Sequence, residues 1–369
     1  MKKKILYLMH VDWHWIKQRP HFLAEELSAN FDVLVAYPHN NRRSHLVRNK
    51  TTLFRVPMRS LPFSRFKTIS FINTCIKSLY FWGLILIYRP SVVWFTFPTL
   101  VPQIGLRLLK NNVIVYDCMD DAQEFKSSEV ERQHILHKER VLLRCADLVL
   151  VTSENLRNKL LGRGAAANKL TLVRNAFGGA VYVETTTTFV SDKPKDVFQI
   201  LFVGAIGDHL DFAPLLHCIN SLEGVEFHFF GPVTIDVPAH ERLKFYGAIE
   251  HSNLAARVQQ FDCFIMPFMI NELIQGVDPV KLYEYINFNK NIICPYYAEI
   301  DRFSEFVFFY RNKDEFVAVI KKLLKNNELK YNSKQRRLFL ENNCWAVRTT
   351  EVIKLINDHL QVKRPSASR

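Results

Sequence analysis

The sequence predicts an α/β protein of two domains, each a parallel sheet covered by helices, and three observations support this prediction. The 369 residues exceed the length of one comfortable hydrophobic core. Short apolar runs alternate with helical periods in both halves, as they do in βαβ units. Residues 181–197 are polar, rich in threonine and without either period, so we expect a linker there. The predicted domains are 1–180 and 198–340, and a C-terminal helix and tail follow at 341–369.

The chain opens with a predicted βαβ unit: a strand at Lys3–Met9, a helix at Arg19–Ala29 and a strand at Phe31–Ala36. No GxGxxG follows the first strand, so the standard dinucleotide fingerprint is absent. Ligands of such sheets bind beyond the carboxyl ends of the strands, which makes the first loop a candidate substrate site. An ordinary loop role is the alternative for each of its residues. The candidate side chains in and after this loop are His10, Asp12, His14 and Arg19.

Positive charge is concentrated in one quarter of the chain. The formal net charge is +13, and residues 33–116 contain twelve lysines and arginines but no aspartate or glutamate. Such a one-sided field favours an anionic partner. We expect an anionic membrane surface rather than nucleic acid, because no nucleic-acid-binding motif accompanies the charge.

Within this basic interval, the stretch Met58–Tyr88 is apolar, aromatic and basic at once. Its uninterrupted apolar run, Leu79–Tyr88, is about half the length that a membrane-spanning helix needs. Two interpretations stay open. The stretch forms either a core helix of the first domain or an interfacial helix whose cations reach lipid headgroups.

Three carboxylates follow the predicted strand Val113–Tyr116, in the segment Asp117-Cys118-Met119-Asp120-Asp121. Adjacent carboxylates raise each other's pKa, which suits a general base. Asp120 and Asp121 are therefore the candidate catalytic residues. A helix N-cap role for one of them is the alternative.

A candidate phosphate site lies in the stretch Gly276–Pro295 of the second domain. We expect Asp278 to cap a helix that runs from about Pro279 to Ile286. Lys281 then lies in the first turn, where a cation opposes the helix dipole unless it helps to hold an anion. Glu284 follows on the same face, within reach of sugar hydroxyls. An ordinary capped helix with a solvated Lys–Glu pair is the alternative.

A glycine turn, Gly204-Ala205-Ile206-Gly207, follows the predicted strand Gln199–Val203. Glycine lets the backbone approach a ligand closely, because it carries no Cβ atom. Gly204 and Gly207 therefore join the candidate binding residues.

Cysteine usage indicates a reducing compartment. The seven cysteines are spread singly along the chain, without a CxxC pair. We therefore predict neither a disulfide framework nor a metal site. The apolar run Ile5–Met9 is too short for a signal peptide, and we expect a cytoplasmic protein.

Together these features resemble the GT-B glycosyltransferases. Those enzymes have two Rossmann-like domains that face each other across a cleft, and a C-terminal helix that crosses back to the N-terminal domain. The resemblance rests on RNAFGG at 174–179, LFVGAIGDHLDF at 201–212 and DPVKLYEYINFNKNIICP at 278–295. The segments that are similar to a bacterial cell-surface polysaccharide subgroup, of teichuronic-acid and xanthan type, are RPHFLA at 19–24, VYDCMDD at 115–121 and Trp345.

The resemblance implies a role for each matched residue. Glu284 would bind the donor ribose, and Lys281 with Asp278 the diphosphate region, while Asp120 or Asp121 would be the base of an inverting enzyme. Retaining relatives often carry two glutamates separated by seven residues, and Gly276 stands at the earlier position, so the stereochemistry stays open. The implied donor-binding residues are Gly204, Gly207, Asp278, Pro279, Val280, Lys281 and Glu284.

The activity that the resemblance implies is transfer of a hexose, without metal or cofactor, from a nucleoside-diphosphate sugar such as a UDP-sugar. The acceptor would be lipid-linked or a saccharide, in cell-surface polysaccharide or glycolipid synthesis. We expect a cytoplasmic enzyme that is peripheral on the inner face of the cell membrane. The alternatives are a UDP-sugar epimerase of the same architecture and a non-catalytic membrane-associated scaffold.

Overall fold

A computed structural model describes residues 2–39, 51–63, 66–102, 105–125, 128–181, 197–249 and 251–363. The chain divides into two compact units. Unit 1 comprises residues 1–178 and 344–369, and unit 2 comprises residues 179–343. Three stretches named in the sequence analysis lie largely or wholly outside the described ranges: residues 40–50 of the basic interval, 182–196 of the predicted linker and 364–369 of the tail.

Two parallel sheets form the centres of the units. The sheet of unit 1 contains β1 (Lys4–Leu8), β2 (Asp32–Pro38), β3 (Phe54–Met58), β4 (Val92–Phe95), β5 (Val113–Cys118), β6 (Leu148–Val151) and β7 (Leu170–Leu172). The sheet of unit 2 contains β8 (Phe198–Val203), β9 (Val225–Phe230), β10 (Leu243–Phe245), β11 (Cys263–Ile265), β12 (Asn291–Pro295) and β13 (Val307–Tyr310).

Helices cover these sheets, as the alternation of periods in the sequence predicts. They are α1 (Arg19–Leu27), α2 (Lys67–Tyr88), α3 (Glu129–Cys145), α4 (Glu154–Gly162), α5 (Ala213–Ser221), α6 (His251–Val258), α7 (Val280–Asn287), α8 (Lys313–Lys325), α9 (Ser333–Asn342) and α10 (Trp345–Val362).

The strand orders place one switch point in each sheet. Unit 1 has the order β3-β2-β1-β4-β5-β6-β7, and unit 2 has β10-β9-β8-β11-β12-β13. The order reverses between β1 and β4 in unit 1, and between β8 and β11 in unit 2. Loops diverge at such a point and leave a crevice at the carboxyl ends of the strands. The loop after β1 and the glycine turn after β8 therefore lie at the position where sheets of this topology bind ligands.

Strands β3 and β13 are absent from the sequence prediction. The apolar pattern of β3 is broken by Arg55 and Pro57, which an edge strand tolerates because only one of its sides pairs. The sequence of β13 is the four-residue run VFFY, and periodicity alone cannot assign so short a run. Pairing with the neighbouring strand decides the structure in both places.

The C-terminal helix α10 belongs to unit 1. Trp345 at its start stacks on Phe22 of α1, with ring centroids 5.4 Å apart and an interplanar angle of 10°. The backbones of Phe177 and Cys344 form a parallel bridge beside this contact. The predicted return of the C-terminal helix to the N-terminal domain is confirmed.

Candidate active site

Lys281 lies in the first turn of α7, as predicted, and it presses against the glycine turn after β8. A Cβ atom at Gly204 would lie 2.6 Å from Cε of Lys281 and would meet its Nζ. The ammonium group also lies 5.7 Å from the centroid of the Phe202 ring. Among the described residues, Lys281 has no hydrogen-bond or salt-bridge partner. Burial lowers the pKa of Lys281, and the charge of Glu284 partly opposes this shift.

The start of α7 differs from the prediction. Pro279, with φ −80° and ψ 114°, is the N-cap, and the helix begins at Val280. Asp278 does not cap the helix, because its buried carboxylate pairs with Arg302 and accepts a hydrogen bond from the hydroxyl of Tyr283 at 3.2 Å. The predicted N-cap is therefore wrong: Arg302, in a short 3-10 helix at Ala298–Phe303 beyond β12, holds this carboxylate in place. The first turn of a helix presents N–H groups that have no intrahelical partner, and no side chain caps them among the described residues of α7.

A hydroxyl group fixes α7 against β8. The hydroxyl oxygen of Tyr285 accepts from the Val203 N–H at 3.0 Å, and it lies 3.3 Å from the Val203 carbonyl, to which it donates. The Tyr285 ring stacks on Phe264 of β11 at 4.1 Å. Tyr285 thus sets the register between Lys281 and Gly204, a role that the sequence analysis missed because it depends on a contact 82 residues away.

Two further groups complete this end of unit 2. Glu284 is exposed on α7, and its carboxylate acts electrostatically on Lys281. His209, in the loop after Gly207, also feels the charge of Lys281, which together with the larger effect of burial lowers the pKa of His209. His209 is a candidate that sequence reasoning missed, although it lies within the quoted glycine segment. A neutral imidazole here can donate to or accept from a ligand.

The glycine turn itself is built by a close backbone approach. A Cβ at Gly231, which follows β9, would collide with the carbonyl of Gly204. Gly204 has φ +153° and Gly231 has φ +154°. A Cβ at Gly207 would lie 3.1 Å from Oγ1 of Thr234 and 3.3 Å from Nδ1 of His209. The turn therefore requires small residues at Gly204 and Gly231 for packing as well as for any ligand.

Unit 1 contains a pocket at the carboxyl ends of β4 and β5. Asp120 lies on this pocket, and burial raises its pKa to about 6. Asp121 and Asp117 add to the increase, and Arg19 opposes it. A carboxylate with this pKa is poised as a base near neutral pH. The pocket is lined by His10, Thr96, Phe97, Tyr116, Cys118, Met119, Asp120, Ala122 and Phe125.

The second candidate base, Asp121, has a different environment. Its carboxylate is buried and pairs with Nη2 of Arg163 at 2.7 Å and Nζ of Lys159 at 3.2 Å. Burial alone would raise the pKa of Asp121, but these two cations hold it below the ordinary value. The two neighbours are therefore shifted in opposite directions, and Asp120 is the one suited to accept a proton.

Arg19, a predicted acceptor-side residue, is buried and lies away from solvent. Nη2 and Nε of the guanidinium donate to the Asp117 carboxylate at 2.8 and 3.0 Å, and Nη1 donates to the carbonyl of Val173 at 2.9 Å and to Oδ1 of Asn175 at 3.3 Å. These bonds join α1, β5 and the end of β7. Arg19 thus begins α1, as predicted, but its buried guanidinium is engaged within the protein, which argues against the predicted acceptor-side role.

His10 lies on the pocket with its ring fixed from two sides. Nδ1 lies 2.7 Å from Oγ1 of Thr96, and the ring stacks on Phe97 at 5.1 Å. Burial, with a smaller contribution from His21, lowers the pKa of His10 to about 4, so the imidazole is neutral at neutral pH. Asp12 and His14 lie on the other side of the loop, where they face His39 rather than Asp120's pocket.

Helix α2 exposes much of its apolar surface. Among the described residues it is the one helix that is long and apolar enough to cross a membrane, and only 11% of an 18-residue apolar window within Thr68–Tyr88 is buried. One face packs on the sheet, because Phe81 is 3% exposed and stacks with Phe95. The large apolar side chains that α2 exposes are Phe71, Ile72, Leu79, Tyr80, Leu86 and Ile87.

The fold and the strand orders define a class: the chain has the GT-B fold, which the sequence predicted. The comparisons with known proteins agree. The solved sucrose-phosphate synthase of Thermosynechococcus elongatus matches 98% of this chain and 100% of its own, with TM-score 0.73 and 13% identity. The Anabaena protein HepE, solved in complex with UDP, matches 96% of this chain and 100% of its own, with TM-score 0.66 and 12% identity.

At the level of sequence, the chain is similar to TuaH of Bacillus subtilis, which is assigned to teichuronic acid biosynthesis as a glycosyltransferase. The two are 22% identical over 290 residues, which cover 71% of this chain and 70% of TuaH. No protein-family model matches the chain. The predicted resemblance to GT-B enzymes of bacterial polysaccharide synthesis is confirmed by these comparisons.

Proposed function

We propose that the chain is a glycosyltransferase that moves a sugar from a nucleoside-diphosphate sugar to a hydroxyl acceptor, in cell-surface polysaccharide or glycolipid synthesis. The observation that carries the proposal is Lys281. It is a half-buried cation at a helix N-terminus, packed on the Gly204 turn, with no hydrogen-bond or ion-pair partner in the described part of the chain. Burying a charge is costly unless an anion accompanies it. A diphosphate supplies that anion and also accepts from the free N–H groups of α7.

The mechanism follows from the charge that the leaving group gains. As the glycosidic bond breaks, negative charge grows on the nucleoside diphosphate. Lys281 and the start of α7 stabilise this charge, so that the donor site needs neither a metal nor a cofactor. Glu284, exposed on the next turn, accepts hydrogen bonds from the ribose hydroxyls. Asp278 acts as a positioning residue, because Arg302 and Tyr283 already engage its carboxylate.

The base of the reaction is Asp120 of unit 1. Its raised pKa lets it take the proton of the attacking hydroxyl near neutral pH. The rings of Phe97 and Phe125 line the same pocket and provide apolar faces for a sugar or lipid acceptor. His10, Asp12 and His14 remain the acceptor-side candidates from the first loop.

The nucleotide is proposed to be UDP. HepE was solved with UDP, and a second HepE structure, with UDP and glucose, covers 97% of this chain at TM-score 0.57. TuaH supports the assignment to polysaccharide synthesis. These relatives motivate the choice of donors to be tried first.

The enzyme works on the inner face of an anionic membrane, through α2. Ile72, Leu79 and Leu86 recur every seven residues and form one exposed apolar stripe along the helix. The opposite face is packed on the sheet, so the helix lies along the membrane interface and does not cross it. Exposed Lys77 and the basic region 33–116 add attraction to anionic headgroups.

A donor screen followed by a matched pair of variants tests the proposal. UDP-, GDP- and dTDP-sugars are compared by thermal shift, since a ligand of the folded state raises the melting temperature. With the donor that binds, Lys281→Ala should lower kcat/KM by about 10²–10³-fold. Lys321→Ala, an exposed lysine of α8, should leave it unchanged. If Lys281→Ala keeps activity within a few fold of wild type, the phosphate role is wrong.

The epimerase alternative is separated by omitting the acceptor. An epimerase converts the donor into a second UDP-sugar on its own, whereas a transferase leaves the sugar on UDP except for slow hydrolysis. Separation of the nucleotide sugars by chromatography distinguishes the two results.

A further inference from the structure

We propose that Asp12, His14 and His39 of unit 1 form a binding site for a divalent transition-metal ion of the Zn²⁺ type. One ligand atom of each side chain lies within 4.8 Å of the other two. Two imidazoles and a carboxylate are a donor set that such ions prefer. All three residues belong to unit 1, and the inference does not depend on the proposed transfer reaction.

The distance between two of the ligand atoms is compatible with a metal site. Nδ1 of His14 lies 3.3 Å from Oδ1 of Asp12, where the two side chains form a long hydrogen bond in the absence of an ion. In a tetrahedral zinc site with bonds of about 2.0–2.2 Å, neighbouring ligand atoms are roughly 3.3–3.5 Å apart. The Asp12–His14 pair therefore already has the spacing of two ligands. The ligand atom of His39 lies within 4.8 Å of these two atoms.

The environment of the His39 ring independently supports a metal site. Its Nδ1 atom is buried and has no hydrogen-bond partner among the described residues. The His39 ring stands edge-on to His14, at 6.4 Å between centroids. A buried imidazole nitrogen without a partner is costly, and a metal ion would satisfy the ring.

The supporting contacts hold the ligands in place before any ion binds. The backbone N–H of His14 donates to Oδ1 of Asp12 at 2.9 Å, and Trp15 N–H donates to the Asp12 carbonyl at 3.0 Å. Tyr37 contacts the His14 ring edge-on at 5.8 Å. Such outer contacts orient ligands and increase metal affinity. The loop after β1 and the end of β2 are thus positioned to be joined by one ion.

The charges around the site predict what completes the coordination. Asp12 is the one anionic ligand, and the guanidinium of Arg55 lies 5.6 Å from the ring of Trp13, which lies between Asp12 and His14 in the chain. Three protein ligands leave a position open, and the excess positive charge favours an oxygen anion or hydroxyl there. The open position would then hold a water molecule or a hydroxide ion.

The test is Co²⁺ binding to the full chain after removal of metal with a chelator. Co²⁺ reports its ligands through visible absorption, and thiolate ligands add a near-ultraviolet band, which matters because the chain has seven free cysteines. We expect one ion per chain, no thiolate band, and dissociation constants at least about tenfold higher for His14→Gln and for His39→Gln. His134→Gln, an exposed histidine on α3, is the control and should bind as wild type.

A measurement on the wild-type chain keeps the test valid if a variant folds poorly. Electron paramagnetic resonance of the Cu²⁺-loaded protein counts the coordinated imidazole nitrogens, and we expect two. Fewer than two nitrogens, a thiolate band, the absence of a stoichiometric Co²⁺ site, or wild-type affinity in a folded His39→Gln variant would each overturn the proposal. Lys281→Ala should bind Co²⁺ as the wild type does. The metal-binding result can therefore be interpreted even if Lys281 does not bind the donor.

Discussion

The side chain of Lys281 fills the space that a Cβ atom would need at Gly204. Such an atom would lie 2.6 Å from Cε of the lysine and closer to Nζ. The glycine turn after β8 and the first turn of α7 therefore pack directly against each other, although Gly204 and Lys281 are 77 residues apart in the sequence. The absence of a side chain at Gly204 is what lets the ammonium group reach the carboxyl end of the sheet.

Gly204→Ala should displace Lys281 and weaken donor binding. The new methyl group meets the lysine, and φ of +153° strains any residue with a Cβ, so we expect a loss of about 1–3 kcal/mol in the free energy of unfolding. Gly162→Ala on α4, where no atom lies within 4 Å, is the control and should be neutral or slightly stabilising. Calorimetric titration with the donor measures the affinity. Wild-type affinity in Gly204→Ala would contradict the assignment of Lys281 to the donor.

Tyr285→Phe should lower stability by about 1–3 kcal/mol, because it leaves the partly buried Val203 N–H without its side-chain acceptor. Tyr310→Phe is a matched control. The hydroxyl of Tyr310 is buried and has no hydrogen-bond partner in the described part of the chain, so its removal should be neutral or stabilising. Urea unfolding of the two variants gives the comparison. Equal effects would show that the Tyr285 hydroxyl does not fix α7 to β8.

Asp120→Asn should abolish most transfer activity and yet stabilise the protein at neutral pH. The pKa of Asp120 is raised to about 6, above its ordinary 3.8, so the wild type loses stability as the pH rises from about 4 through 6. Asparagine avoids that loss, and its advantage should be about 1–3 kcal/mol above pH 6 and vanish below pH 4. The wild-type rate should rise with pH through the same interval. A pH-independent rate across it would exclude Asp120 as the base.

Asp121→Asn should change the stability at neutral pH in the opposite direction to Asp120→Asn. Arg163 and Lys159 hold the pKa of Asp121 below its ordinary value, so its ionised form stabilises the fold above that value, and this stability is lost as the pH falls. We therefore expect Asp121→Asn to be destabilised at pH 7 and much closer to wild type under acid conditions. Thermal unfolding across pH measures both variants together. Matching pH dependence of the two would contradict their separate assignments.

Replacement of Leu86 and Ile87 by glutamate should weaken membrane binding without unfolding the chain. Their side chains are 72% and 84% exposed, so little core packing is lost. Each apolar side chain withdrawn from lipid should cost about 1.5–3 kcal/mol of membrane affinity. Co-sedimentation with vesicles of anionic and neutral phospholipids measures this. Leu324 lies on α8 of unit 2 and is 43% exposed, so the control variant Leu324→Glu should bind vesicles as the wild type does. Unchanged vesicle binding of the α2 variant would refute the membrane role.

Most of the helices and the strands flanked by turn residues could be predicted from the sequence, because apolar periodicity is local information. The position of Lys281 in a first helical turn was also predictable, since it follows from a proline and a hydrophobic period. The edge strand β3 and the short β13 were not, because their structure depends on pairing with β2 and β12. The partner of Asp278 was likewise hidden, since Arg302 lies 24 residues away and could have faced solvent.

The sequence by itself determined the class of fold and the concentration of carboxylates after β5. It also determined the glycine turn at Gly204–Gly207 and the helix start that carries Lys281. Only the tertiary structure decided which charged side chains form ion pairs within the protein. Arg19 and Asp121 are each neutralised by residues distant in sequence, while Lys281 and Asp120 are left with shifted pKa values at the ends of the sheets. The physical reason is that burial and ion pairing depend on contacts between distant segments, which no local pattern of residues records.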